Sequence, residues 1–313
     1  MRNFNFSLYR LNVVDKEDMF SSAKGVIRGD ISILDVLLKA TDSNYDDAQE
    51  TNTSLYQWGI RELQDFSSVI NERTFVTCTL ARSLLEKNGT VVTENGITEG
   101  RSASYPPLAE TIFIVFDMSR HLVAVEKNSL WTSANYWKTA FERITAKAAD
   151  DNNLASSLSL EEVPGHSTVF ALLNSFSKVT RIRLTVRVPN PELSAYTKKL
   201  AEELKADNVR ELGLDVKAPQ GLTCLRNSPV YAALSLGEAG YKDGEVKISG
   251  FKDGVHRTEE TGTEAVHGNI AMDKESVKAI TPSTNSSIIY GTFEQISIEI
   301  DRILPIENID ESE

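Results

Sequence analysis

Cysteine, histidine and long apolar runs are all scarce in this chain. Two cysteines, Cys78 and Cys224, lie far apart among 313 residues. That is too few for a disulfide scaffold or a cysteine-only zinc site, and a reduced, cytoplasmic setting is expected. Cys78, inside "TFVTCTLA", reads as a small packing residue, because no basic neighbour is at hand to hold a thiolate. No apolar run approaches the roughly 20 residues that a membrane-spanning helix needs, so no membrane partner is expected. The N-terminal "MRNFNFSLYRLN" alternates Phe4, Phe6 and Leu8 with polar neighbours, the pattern of a strand rather than of a signal peptide.

Motifs with demanding backbone geometry are missing as well. There is no GxxxxGK[ST] phosphate cradle, no GxGxxG after a strand and no GxSxG nucleophile elbow. No cofactor and no catalytic residue is therefore assigned. Four histidines limit metal chemistry. His256 and His267 flank Glu259, Glu260 and Glu264, but their spacing matches no closed ligand set and reads better as a polar loop. Asp117 and His121 are read as a turn aspartate and a strand-edge histidine rather than an acid–base couple.

What is present is a mixture of strands, tight turns and a few amphipathic helices. "DISILDVLLKATD" predicts a short helix with Asp30 as cap and Ile33, Leu34, Leu37 and Leu38 on one face. "ERTFVTCTLARSL" predicts a strand, and Asn95-Gly96 in "TVVTENGITEG" predicts a hairpin turn. "ETIFIVFDMSRHLVAVE" predicts two buried strands around a turn at Asp117 to Arg120. Ala134, Trp137, Phe141, Ile144 and Ala148 recur at helical spacing behind Thr132 as cap. Asn190 and Pro191 open a second helix whose buried stripe is Leu193, Tyr196, Leu200 and Leu204. "YKDGEVKIS" and "FKDGVHRTE" predict successive hairpin turns, and "QISIEIDRI" predicts a closing strand with Ile296, Ile298 and Ile300 on one face. The expected class is α+β, with antiparallel sheets, hairpins and a few packed helices in two subdomains. The expected division is an N-terminal unit over 1–150, a linker over 151–165 and a hairpin-rich unit over 166–313.

The net charge of −12 argues against a protein that coats nucleic acid over its whole surface. The distribution is more informative than the sum. Residues 178–199 hold Lys178, Arg181, Arg183, Arg187, Lys198 and Lys199 against Glu192 alone, whereas residues 30–50 and 299–313 each hold six acids to one cation. In "TRIRLTVRV" the three arginines alternate with apolar residues, so in a strand they share one side. Arg181, Arg183, Arg187, Lys198 and Lys199, with Lys247 and Lys252, are the candidate contacts to a DNA phosphate backbone. The competing reading is a solvent-facing strand whose arginines are neutralised by acids on neighbouring strands. A metal-dependent nuclease is a further alternative, because Asp243, Glu245 and Lys247 stand in D-x-E-x-K order. A protein-interaction module, acting as an acidic partner or inhibitor, is the third.

The order of elements, from the "FNFSLYR" strand through "IFIVFDMSRHLVAVE" to "RIRLTVRVPNPELSAYTKKLAEEL" and a hairpin-rich region, resembles the phage-exclusion proteins of the RexA type. It is also similar to their relatives in bacterial antiphage defence. The resemblance implies a non-enzymatic DNA-binding protein, a homodimer with architecture like the recombination-associated RdgC proteins, acting with other defence or phage proteins. It carries over no catalytic residue.

Overall fold

The computed structural model describes residues 3–305 apart from 16–22, 28, 68–72, 95, 104–105, 128–135, 166–167, 188–194, 208, 227, 263, 282 and 284. Along the chain come β1 (Asn3–Asp15), α1 (Ile33–Lys39), β2 (Asp47–Glu50), β3 (Ser54–Asp65), β4 (Phe75–Thr93) and β5 (Gly96–Ala103). β6 (Ala109–Asp117), β7 (Leu122–Glu126), α2 (Tyr136–Asp151) and β8 (Ser156–Glu162) follow. An excursion then contains α3 (Thr168–Asn174), β9 (Lys178–Arg187), α4 (Ala195–Ala206) and β10 (Glu211–Lys217). It continues through α5 (Pro229–Glu238), β11 (Lys242–Lys252) and β12 (Val255–Glu260). The chain returns through β13 (His267–Asp273), α6 (Lys274–Lys278) and α7 (Ser286–Ile303).

The fold is α+β, with two antiparallel sheets. The nine-stranded sheet runs β13-β1-β7-β6-β4-β3-β2, with β8 beside the second half of β1 and β5 extending β4 as a ribbon. Both faces of its centre are covered, which is why "IFIVF" and "LVAV" are continuously apolar. Ile112, Ile114 and Phe116 pack with Trp137, Phe141 and Ile144 of α2, while Phe113 and Val115 pack with Phe293, Ile296 and Ile300 of α7. Phe4, Phe6 and Leu8 are buried on the α7 side, as their alternation predicts.

The four-stranded sheet runs β10-β9-β11-β12 and is covered on one face, where Ile182, Leu184 and Val186 meet Ala233, Leu234 and Leu236 of α5. A buried guanidinium joins the two sheets. Arg10 of β1 donates from Nε to the Ala239 carbonyl at 2.9 Å and from Nη1 to the Arg120 carbonyl, and it lies 4.2 Å over the Tyr241 ring. No helix among the described residues is long and apolar enough to cross a membrane.

Several expectations change. The segment expected to link two units, 151–165, contains β8, which pairs with β1; residues 267–303 also return to the large sheet. The sheets therefore do not divide the chain at that segment, because its "SSLSLEE" run supplies an edge partner for β1. "QISIEIDRI" belongs to α7 and is not a strand. The alternating isoleucines are overridden by the wider spacing Ile289, Phe293, Ile296, Ile300 and Ile303, which buries one helical stripe and leaves Ile298 63% exposed. The cap of α1 is Ser32, in a reciprocal capping box with Asp35, rather than Asp30, and Leu38 faces water. "FKDG" forms the β11–β12 turn at Asp253 and Gly254, both at positive φ. "YKDG" instead leads into β11, where the register against β9 shifts between Asp243 and Lys247. The caps assigned to Thr132 and Asn190, together with Pro191, Leu193 and Asn95, lie outside the described residues.

Candidate nucleic-acid interface

The side chains of β9 alternate as expected. Ile182, Leu184 and Val186 are buried, and Arg181, Arg183 and Arg187 lie on the opposite face, which no helix among the described residues covers and which β8 meets at Arg187. The pairing register then decides what they meet. On β10, Lys217 stands opposite Arg181, Asp215 opposite Arg183 and Glu211 opposite Arg187. On β11, Lys247 stands opposite Arg183, and Glu260 of β12 lies beyond Lys247. The face thus gathers Arg181, Arg183, Arg187, Lys217 and Lys247 among Glu211, Asp215, Asp243 and Glu260, close to charge balance.

Individual contacts make that balance specific. Arg181 grips Asp215 with two hydrogen bonds, Nε to Oδ1 at 2.6 Å and Nη2 to Oδ2 at 2.5 Å. That grip holds the Asp215 carboxyl below its usual range and raises the guanidinium in turn. Lys247 pairs with Glu260 at 2.8 Å. Arg187 is half-buried; it meets Asp243 at 3.2 Å and donates to the Ser159 hydroxyl of β8 at 2.6 Å. Arg183 is exposed at the centre of the face and makes no ion pair among the described residues. Neutralisation by acids on adjacent strands is therefore real for Arg181, Arg187 and Lys247.

The other candidates lie elsewhere. Lys198 and Lys199 are exposed on α4, in the helical layer that covers the far face, where Leu200 packs into the core and Lys199 approaches Glu203 at 3.9 Å. They do not join the arginines, because the sheet lies between. Lys252 also points to the helical side, bound to Glu259 at 2.9 Å and 5.9 Å from the Phe176 ring centroid. Asp243 and Lys247 share the open face, whereas Glu245 sits in the irregular part of β11 and accepts a hydrogen bond from the Thr261 hydroxyl. The D-x-E-x-K residues are thus engaged by three different partners. No group of three or more His, Cys, Asp or Glu side chains among the described residues could hold a metal ion. His256 belongs to the small sheet and His267 to the large one, where its Nδ1 lies 3.1 Å from the Ser7 hydroxyl. His121 is a turn residue at positive φ whose burial, with Arg10 nearby, lowers its pKa to about 4.

A second basic feature lies on the helical side and draws on four separate segments. A groove of about 780 Å³ runs between the end of α3, the start of β9, the loop before α5 and the first turn of α5. Lys178 and Arg226 supply its charge, and no acidic side chain among the described residues lines it. Both cations are exposed, and neither has an ion pair among the described residues. Phe170 and Tyr231, with ring centroids 4.9 Å apart, and Phe176 form its aromatic wall. Sequence reasoning counted Lys178 only as charge and passed over Arg226, Phe170, Phe176 and Tyr231. No local signal marks them, since each is an ordinary residue of its own element. At the same corner β11 presses on β9 so closely that a Cβ on Gly250 would stand 2.1 Å from the Lys178 carbonyl oxygen, so only glycine fits there.

The chain belongs to the DUF4747 family, described as a domain of unknown function, whose family model matches residues 85–293. The match spans the whole four-stranded sheet, its helices and the groove. No curated protein matches the sequence.

Proposed function

We propose that the protein is a non-catalytic DNA-binding protein that contacts the phosphate backbone through the open face of the four-stranded sheet, without reading base sequence. The observation that carries this reading is Arg183, an exposed guanidinium at the centre of that face, flanked by Arg181 and Lys247 and in no ion pair among the described residues, because Asp215 opposite it is gripped by Arg181. Exposed ion pairs contribute only about 0–1 kcal/mol. Phosphate oxygens, which suit the planar guanidinium fork as well as a carboxylate does, can therefore exchange for Asp215 and Glu260. Arg187 stays with Ser159 and Asp243 and anchors the face to β8. With so few cations released, binding is modest and steeply dependent on salt only to the extent of about two or three phosphates.

Action in phage defence or prophage exclusion follows the resemblance to RexA-type proteins and forms part of the proposal. So does a cytoplasmic setting, which two free cysteines, one fully buried, support. The homodimer is assigned to the outer edge of β5, which pairs with no further strand among the described residues. A two-fold axis at Gly100 would set Glu99 against the same strand's Arg101 in a second copy and Ile97 against Ala103, a self-complementary pattern.

Fluorescence anisotropy with labelled duplex and single-stranded DNA over a salt series tests the reading. Arg183→Glu should weaken binding about tenfold at about 50 mM salt and reduce the salt slope by about one. DNA should remain intact with and without EDTA. Absence of DNA retention by the native chain at low salt, or an unchanged slope in the variant, rejects the assignment.

A further inference from the structure

We propose that the groove on the helical side of the small sheet binds a nucleotide unit, that is, an aromatic base carrying a phosphate group. Its volume of about 780 Å³ lies in the range of small-molecule sites. Three features select the ligand. Among the described residues, Lys178 and Arg226 make no ion pair and their lining holds no carboxylate, in a chain of net charge −12. A phosphate is therefore drawn there without displacing an acid, in contrast to the open face. Phe170 and Tyr231, both partly exposed, bring aromatic carbon to the groove wall beside these cations, with the buried Phe176 behind them, and an aromatic base suits such a wall. Asn174 and Gln220 add amide groups at the rim that match the mixed donors and acceptors of a base edge.

The groove is also held in shape. The methylenes of Lys178 run over Gly221, which is at φ +105° and leaves room for them. Tyr231 is fixed on the first turn of α5, where its backbone N–H donates to the Ser228 hydroxyl at 3.1 Å. This proposal does not rest on the backbone-binding reading, because the groove and Arg183 lie on opposite sides of the sheet.

Cys224 provides a built-in probe. It lies in the groove wall and is only partly covered, whereas Cys78 is fully buried, so thiol alkylation reports on the groove alone. Calorimetry and Cys224 alkylation are to be measured with a nucleoside monophosphate, the uncharged nucleoside, inorganic phosphate and a short single strand ending in a 5′-phosphate. The expected result is binding and protection by the monophosphate or by the phosphorylated strand end, with the nucleoside and inorganic phosphate each about tenfold or more weaker. Protection by the strand end alone identifies a nucleic-acid terminus as the source; protection by both identifies the free nucleotide as sufficient. Lys178→Ala and Arg226→Ala, both at exposed positions, should each weaken this binding about tenfold while leaving duplex binding unchanged. Arg183→Glu should do the reverse. Equal protection by inorganic phosphate, no protection by either nucleotide probe, or native affinity in both alanine variants overturns the proposal.

Discussion

Among the described residues, helices cover both faces of the nine-stranded sheet and one face of the four-stranded sheet, and the charged residues are disposed accordingly. In the large sheet a buried charge is enclosed by its partners: Glu126 accepts from the Phe113 N–H at 2.9 Å and is clasped by Lys274 and Lys278 of α6. Arg120 and Arg73 likewise converge on Asp301, and Arg120 also donates to the Leu304 carbonyl at the end of α7. Such groups hold helices to the sheet, and removing one partner strands a buried charge. In the small sheet the ion pairs of Arg181 and Lys247 face water and can be exchanged at little cost. The lesson is that the large sheet locks its charges into the scaffold, while the small sheet keeps Arg181, Arg183 and Lys247 on a face where they can change partners.

The largest expected effect tests the second cover of the large sheet. Phe293 stacks on Phe75 at 4.7 Å and lies 5.0 Å from Phe66, fully buried under α7. Phe293→Ala should cost about 4 kcal/mol in urea unfolding. A loss under about 1 kcal/mol would mean that α7 is a loose attachment and that the contrast between the sheets is overstated.

A smaller effect concerns the seam between the sheets. Glu161 of β8 is buried near Glu162, and burial raises its carboxyl to about 7 against the pull of Lys138, Lys242 and Arg187. A proton is held more tightly in the folded state than in the unfolded one. Stability from this group is therefore present below its ordinary pKa of 4.5 and is lost as pH rises to about 7. Glu161→Gln should raise stability by about 1–3 kcal/mol at pH 8 and leave it nearly unchanged close to pH 4.5. Thermal melts across that range measure it, and a gain of equal size at both pH values would contradict the titration.

The smallest effect belongs to the bare face. Asp215→Asn breaks the clasp on Arg181 yet should shift stability by under about 1 kcal/mol. The same change should tighten DNA binding several-fold by freeing a second guanidinium beside Arg183. A large loss of stability without a gain in binding would turn the open face into structural surface.

Much of this architecture was legible in local pattern. The period-two alternation of β9 announced both its buried face and its arginine face, and the apolar runs of β6 and β7 announced strands covered on both sides. Period alone failed at α7, where "ISIEI" satisfies a strand over five residues but a helix over eighteen. It failed again at "YKDG", which carries turn chemistry but leads into β11, because pairing to β9 at Asp243 and again at Lys247 absorbs the irregularity.

The sequence by itself determined the α+β class, the strand that carries the arginines and the side of that strand on which they stand. These are short-range properties, set by the backbone period and by the need to bury alternate side chains. Tertiary structure alone decided that Asp215, Asp243 and Glu260 lie beside those cations, because cross-strand neighbours depend on register between distant segments. It also decided that Lys178, Arg226, Phe170 and Tyr231 share one groove, a meeting that packing of α3 and α5 against β9 produces and that spacing along the chain does not encode.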